Sequence, residues 1–82
     1  MSDTTTPTKV ISTPKDLGHA IRAARESMKL RQAEAALLCG VGIRFLSDLE
    51  NGKETSRLGH ALKVIDGLGL AISVGRKKPF WR

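Results

Sequence analysis

Residues 32–52 read QAEAALLCGVGIRFLSDLENG, and this stretch decides the fold. Small and apolar residues recur at helical spacing before and after Gly40-Val41-Gly42, which predicts one helix over 32–39 and another over 43–50. Gly40 can adopt the positive φ of a helix C-terminus, and Asn51-Gly52 is a turn dipeptide that ends the second helix. Two short helices joined in this way form a helix-turn-helix, whose second helix fits the major groove of DNA.

Two further helices are predicted on either side of this motif. Thr13-Pro14-Lys15-Asp16 is a helix start, with Thr13 as the cap, and the helix then runs to about Met28. Another helix is expected over about 57–67. The apolar side chains expected to line the core of the four helices are Leu17, Ala20, Ile21, Ala24, Met28, Ala33, Ala36, Leu37, Cys39, Leu46, Leu49, Leu58, Ala61, Leu62, Val64 and Ile65.

The segment Leu70-Ala71-Ile72-Ser73-Val74 alternates large and small residues, which is the periodicity of a β-strand. A single strand leaves its backbone groups unpaired. We therefore expect it to pair with the same strand of a second subunit about a two-fold axis, with Leu70, Ile72 and Val74 as dimerisation residues.

The length, charge and cysteine content of the chain limit the kinds of function that it can have. The chain has 82 residues, enough for one domain, and its net charge of +6 favours a polyanion as partner. The single cysteine, Cys39, excludes an internal disulfide and fits a reducing cytoplasm; an inert core thiol is the favoured interpretation. His19 and His60 have no cysteine pair beside them, so no metal site is expected. We expect a cytoplasmic, nucleoid-associated protein with no cofactor, no membrane contact and no catalytic activity, since no nucleophile–base pair or phosphate loop stands out.

The run Gln32-Ala33-Glu34-x-Ala36, Gly40-Val41 and Leu46-x-x-Leu49-Glu50-Asn51-Gly52 resembles the Cro/C1-type (XRE) helix-turn-helix repressors. The resemblance covers roughly Leu17–Leu70. It implies an all-α, lambda-repressor-like domain of four to five helices, which the C-terminal β-strand completes across a dimer. It also implies a structural ion pair between Arg25 and Glu50.

Two residues depart from the pattern of that family. Gly42 replaces the usual capping Ser or Thr, so the second helix of the motif begins with a weaker cap. Lys29 stands where a glycine often ends the first helix, which predicts a lysine in a left-handed conformation.

The second helix of the motif carries the candidate base-reading residues Gly42, Ile43, Arg44, Ser47 and Asp48. Arg44 can donate twice to guanine, Ile43 can contact a thymine methyl, and Asp48 can either accept from cytosine or orient an arginine. Phe45 fits a thymine contact or core packing equally well. Candidate DNA-backbone contacts are Arg31, Gln32, Lys53 and Arg57. The alternative is a solvated pair at a helix start for Arg31 and Gln32, and ordinary surface charge for Lys53 and Arg57.

The two ends of the chain complete the predicted organisation: a flexible arm over 1–12, the helix-turn-helix domain over 13–69, the dimerisation strand over 70–75 and a basic aromatic tail over 76–82. Ser12-Thr13-Pro14-x-x-Leu17, the late strand and a terminal tryptophan resemble the HipB-type antitoxins. That resemblance implies autorepression at a palindromic operator and a HipA-type serine/threonine kinase toxin as partner, docked by Phe80 and Trp81. The alternative is a free-standing phage or chromosomal repressor without a toxin.

Overall fold

A computed structural model of the chain describes residues 10–76. It contains four helices: α1 (Pro14–Ser27), α2 (Gln32–Cys39), α3 (Ile43–Glu50) and α4 (Leu58–Gly67). The all-α fold with a helix-turn-helix at its centre is confirmed. Residues 70–76 have no regular secondary structure in this single chain. The strand over 70–74 stays a prediction, since its hydrogen bonds require a second subunit.

Local chemistry explains where α1 begins. The Thr13 hydroxyl accepts a hydrogen bond from the Asp16 N–H (3.0 Å), and the Asp16 carboxylate accepts from the N–H groups of Ser12 (3.0 Å) and Thr13 (3.2 Å). This is the predicted capping box, with Pro14 at the first helical position. The N–H of Ser12 is the main reason that the pKa of Asp16 lies below its ordinary value of 3.8.

The end of α1 also follows the sequence. Lys29 has a φ of +59°, the left-handed conformation expected for this position. The turn is held by the Leu30 N–H, which donates to the carbonyl of Arg25 (3.2 Å). A lysine here is strained relative to glycine because its Cβ crowds the backbone.

The core lies between the four helices and is built from Ile21, Ala35, Ala36, Cys39, Leu46, Leu49, Ala61, Val64, Ile65 and Leu68. The expected burial of Ala33 and Leu37 in α2 was wrong: both are exposed, Leu37 by 84%. The reason is the close approach of α2 to α4. A Cβ added to Gly67 would lie 2.7 Å from the Cys39 Sγ, so only the small side chains of α2 fit on this side.

Three other apolar residues were wrongly expected in the core. Met28 is 45% exposed because α1 has already ended at Ser27, and Arg25 takes the inward position in the last turn of the helix. Leu58 and Leu62 lie one turn apart on the outer face of α4 and are exposed, whereas Val64 and Ile65 face inward. Substantial apolar surface is therefore left on the outside of α4.

A glycine that the sequence did not single out sets the distance between α1 and α3. Gly18 is buried, and a Cβ added there would lie 2.5 Å from the carbonyl oxygen of Leu49 and 2.6 Å from that of Glu50. The last turn of α3 thus packs directly on the backbone of α1. This close contact therefore sets the position of the C-terminal end of α3 relative to α1.

Two predicted features fall outside the described residues: positions 1–9 of the N-terminal arm and positions 77–82 of the basic aromatic tail. Among the helices of residues 10–76, none has the length and apolar character that a membrane span needs.

Candidate nucleic-acid interface

Helix α3 turns one face to the core and the other to solvent. Leu46 is fully buried and Leu49 nearly so, which anchors the inner face. On the outer face, Ile43 is 51% exposed and Arg44 is exposed, whereas Ser47 and Asp48 are half-buried. The candidate base-reading residues therefore lie on or beside the outer face of one helix, as the sequence predicted.

The turn that precedes α3 has the expected geometry. Gly40 adopts a φ of +72° at the end of α2, and the N–H of Val41 donates to the carbonyl of Ala36 (3.0 Å) while its side chain packs against the core. Gly42 is the N-cap of α3 with no side-chain cap, and a Cβ added there would meet no atom within 4 Å. A serine would fit at this position, so the weak cap is not imposed by packing.

A buried carboxylate ties the elements of the motif together. Glu50 accepts hydrogen bonds from the Arg25 Nε (2.7 Å) and Nη2 (3.0 Å), and Arg25 also donates through Nη1 to the carbonyl of Leu30 (2.8 Å). Both ionic side chains are at least nine-tenths buried. The hydrogen bonds to Glu50 raise the pKa of Arg25 above its usual value, so the guanidinium stays charged. The expected structural ion pair is present and joins α1 to the end of α3.

Gln32, the first residue of α2, belongs to the same network. Its Nε2 donates to the Glu50 carboxylate (3.1 Å). Because a carboxylate only accepts, the Gln32 amide must present its nitrogen to Glu50. One N–H and the Oε1 stay available, so the predicted DNA-backbone contact is compatible with this position and remains a prediction. The sequence did not indicate this link.

Arg31 precedes α2 as its N-cap residue. Its N–H donates to the Glu34 carboxylate (2.8 Å), and its guanidinium Nε lies 3.7 Å from the same group. The Arg31 side chain is 87% exposed, so it can reach a phosphate. Arg57, the N-cap residue of α4, is also exposed.

Phe45 packs inward. It is half-buried against the core, and its ring lies 5.5 Å from the ring of His60 on α4, tilted by 56°. Such a tilted pair is a favourable aromatic geometry. Of the two possibilities for Phe45, the structure favours packing, and it assigns His60 a partner that no sequence motif indicated.

Asp48 is paired with a lysine rather than with an arginine in the part of the chain that the structure describes. The Lys53 Nζ lies 3.5 Å from the Asp48 Oδ2, and the Lys53 N–H donates to the Asp48 carbonyl (3.0 Å). A candidate base contact and a candidate phosphate contact are thus joined to each other across the Asn51-Gly52 turn.

The remaining predicted residues have simpler surroundings. Cys39 is buried, its thiol faces the Val64 carbonyl at 3.7 Å, and burial raises its pKa, which is the environment of an inert thiol. No group of metal-ligating side chains occurs among residues 10–76.

The predicted dimerisation residues differ in burial. Leu70 is half-buried against its own core, whereas Ile72 and Val74 are exposed. Phe80 and Trp81 lie outside the described residues.

Comparison with known proteins places this geometry in a family. The helix-turn-helix family model matches residues 21–74. An uncharacterized HTH-type transcriptional regulator, y4mF, of Sinorhizobium fredii is 46% identical over 66 residues, which cover 80% of this chain and 87% of that protein.

Solved structures agree with the fold. A complex of a HipB variant with the O2 20mer matches with a TM-score of 0.80 at 25% identity, over 88% of this chain and all of that one. The HipA–HipB–O2–O3 complex matches with a TM-score of 0.79 at 24% identity, over 87% of this chain and all of that one. The chain therefore belongs to the helix-turn-helix family of Cro/C1-type DNA-binding transcriptional regulators, which are not enzymes.

Proposed function

We propose that this protein is a sequence-specific, dimeric repressor that inserts α3 into the major groove of a palindromic operator, and that it is the antitoxin of a toxin–antitoxin operon. It represses its own operon, and it binds and neutralises a HipA-type serine/threonine kinase. The domain works in the cytoplasm on the nucleoid.

The observation that carries the DNA-binding part is the exposure of Ile43 and Arg44 on the first turn of α3. An isoleucine half in water contributes little to the core, but it suits a thymine methyl group. Arg44 beside it can donate two hydrogen bonds to guanine O6 and N7. Gly42, with no side chain, allows the backbone of this turn to approach the DNA closely.

The dimer is supported by the apolar residues near the C-terminus. Ile72 is 52% and Val74 is 96% exposed, and exposed apolar side chains at strand spacing favour burial against a second copy. A two-fold dimer would place the two copies of α3 about one helical turn of DNA apart, ~34–36 Å.

The antitoxin part rests on the likeness to HipB structures, one of which is a complex with HipA. The tail carries the expected docking residues Phe80 and Trp81. The second candidate is a free-standing repressor, which the description of the Sinorhizobium relative as a transcriptional regulator favours. The two candidates share the DNA-binding surface and differ only in the partner protein.

Substitution of Arg44 tests the DNA-binding part. We expect Arg44→Ala to weaken binding to the operator by about 1–3 kcal/mol per half-site, because each subunit loses one bidentate base contact, and to relax specificity at one base pair of each half-site. The measurement is fluorescence anisotropy with the duplex upstream of the protein's own gene and with a random duplex of equal length. Arg22→Ala, which removes an exposed arginine from α1, is the matched control. Equal losses on both duplexes would contradict base reading by Arg44.

Deletion of residues 79–82 tests the antitoxin part. The shortened chain is expected to keep its operator affinity and to lose most of its affinity for a HipA-type kinase encoded beside it, as measured by calorimetry. If the full-length chain does not bind such a kinase, the free-standing repressor is the better description.

A further inference from the structure

The Asp48–Lys53 pair spans the C-terminal end of α3. Lys53 follows the turn at Gly52, which has a φ of +81° and packs on the backbone of Lys15 in α1. The backbone hydrogen bond from Lys53 to the Asp48 carbonyl then holds the two residues side by side. Their side chains are 53% (Lys53) and 39% (Asp48) exposed, so DNA can reach both.

These two charges respond to DNA in opposite ways. Phosphate oxygens attract the Lys53 ammonium and repel the Asp48 carboxylate. In the major groove, a base amino group such as cytosine N4 or adenine N6 can donate a hydrogen bond to the carboxylate. This hydrogen bond offsets the repulsion between Asp48 and the phosphates. An exposed ion pair is weak in water, so either partner can exchange the other for a contact with DNA.

We propose that Asp48 and Lys53 form a discriminating pair that opposes binding to non-specific DNA. On a random duplex, Asp48 keeps Lys53 paired and contributes repulsion. On a site with an amino-bearing base at the right position, Asp48 accepts a hydrogen bond from that base, and Lys53 is released to a phosphate. Specificity is then gained mainly by weakening the wrong complexes. This inference rests on the proposed function, because it requires that α3 enters the major groove.

The ordinary alternative is a surface ion pair that only stabilises the turn after α3. The two explanations differ in what happens on random DNA. If the pair is merely structural, removing the carboxylate lowers the thermal stability slightly and leaves DNA discrimination unchanged. If the pair discriminates, removing the carboxylate improves binding to random DNA.

The experiment measures Kd between 50 and 200 mM NaCl on a random 20-base-pair duplex and on the operator duplex, for the wild-type chain and Asp48→Asn. On the random duplex we expect the variant to bind about tenfold more tightly at the low-salt end and about equally at the high-salt end. Its plot of log K against log salt should be steeper by about 0.9 per subunit, as for one added phosphate contact. The ratio of operator to random affinity should fall at least about threefold.

Three variants make the outcome specific. In Asp48→Asn/Lys53→Met, the added slope should disappear, because the released ammonium is absent. Asp48→Ser should behave like Asp48→Asn if loss of the charge is the cause. Asp66→Asn removes an equal charge from an exposed position of α4 and should leave the random-duplex slope unchanged. Thermal melts monitored by circular dichroism show that each variant is folded.

The possible failures can be told apart. If the wild-type chain binds DNA but Asp48→Asn has the same random-duplex affinity and slope, this inference is overturned and the proposed function stands. If Asp66→Asn matches Asp48→Asn, the effect is one of net charge, and the inference is again overturned. A wild-type chain that does not distinguish the operator from random DNA overturns the proposed function itself.

Discussion

The buried carboxylate of Glu50 links α3 to both α1 and α2. It accepts three hydrogen bonds, two from Arg25 and one from Gln32. Charges removed from water are tolerated only when they are paired and fully hydrogen-bonded. The identity of residue 25 therefore matters for folding.

Substituting Arg25 tests this role. Arg25→Met leaves the Glu50 carboxylate buried without its counter-charge, and we expect the free energy of unfolding to fall by about 3–5 kcal/mol. Guanidinium denaturation at neutral pH measures this change. Arg22→Met breaks an exposed pair with Glu26, in which both side chains are more than half exposed, and should change the free energy of unfolding by about 0.5 kcal/mol or less.

The Arg25→Met variant could be too unstable to fold at all. In that case Arg25→Met/Glu50→Leu is expected to recover much of the loss, since no unpaired charge stays buried. Similar small effects of Arg25→Met and Arg22→Met would show that the buried pair has no special role.

At the scale of the elements, the residues at which helices begin and end could be predicted from the sequence. Which side chains of each helix are buried could be predicted only in part. Thr13 and Gly40 act on their own backbone, so α1 began and α2 ended where expected. Which side chains α2 buries depends on how closely α4 approaches, and that distance is set by Gly67 in a distant part of the chain. The hydrophobic pattern of α2 contains no information about this distance. It predicted a buried Leu37, whereas the structure buries the smaller Ala35.

The candidate site shows the same difference between features set by the local sequence and features set by tertiary packing. The exposure of Arg44 follows from the periodicity of α3 alone, which explains why it could be predicted. The partners of Asp48 and Gln32 lie across a turn and across the motif, at separations for which the sequence has no pattern. Contacts of this kind depend on the packed tertiary structure.

Two glycines test the close packing of elements. Gly18→Ala would drive a methyl group into the carbonyls of Leu49 and Glu50, and we expect a loss of about 1–3 kcal/mol or more, because backbone must move. Gly59→Ala lies in α4 with no atom within 4 Å of the added Cβ, and it should stabilise the protein by about 0.5–1 kcal/mol through helix propensity. Chemical denaturation of both variants gives the comparison. If Gly18→Ala also stabilised the protein, the α1–α3 approach would be looser than the structure indicates.

At the scale of the whole molecule, one subunit offers a single copy of α3, the helix that we propose reads the bases. A net charge of +6 attracts DNA of any sequence, so one α3 adds little discrimination. Two copies held in fixed geometry convert the second binding event into an intramolecular one, which multiplies affinity for correctly spaced half-sites. The proposed dimerisation through residues 70–74 is therefore the property on which we expect operator selectivity to depend.

A charge placed on the exposed face of the predicted strand tests this dependence. Val74→Asp should prevent strand pairing, because the pairing would then bury an unpaired carboxylate of each subunit away from water. We expect a monomer by sedimentation at concentrations where the wild-type chain is dimeric, and about a hundredfold weaker binding to the palindromic operator. The affinity for a single half-site should change little, since α3 is untouched.

Leu37→Asp is the matched control, because it adds the same charge at an exposed apolar position of α2, outside the strand. That variant should remain a dimer. The ratio of its affinity for the palindromic operator to its affinity for a single half-site should equal that of the wild-type chain. A Val74→Asp chain that still sediments as a dimer would refute strand pairing and would point to another exposed apolar surface, such as the face of α4 with Leu58 and Leu62.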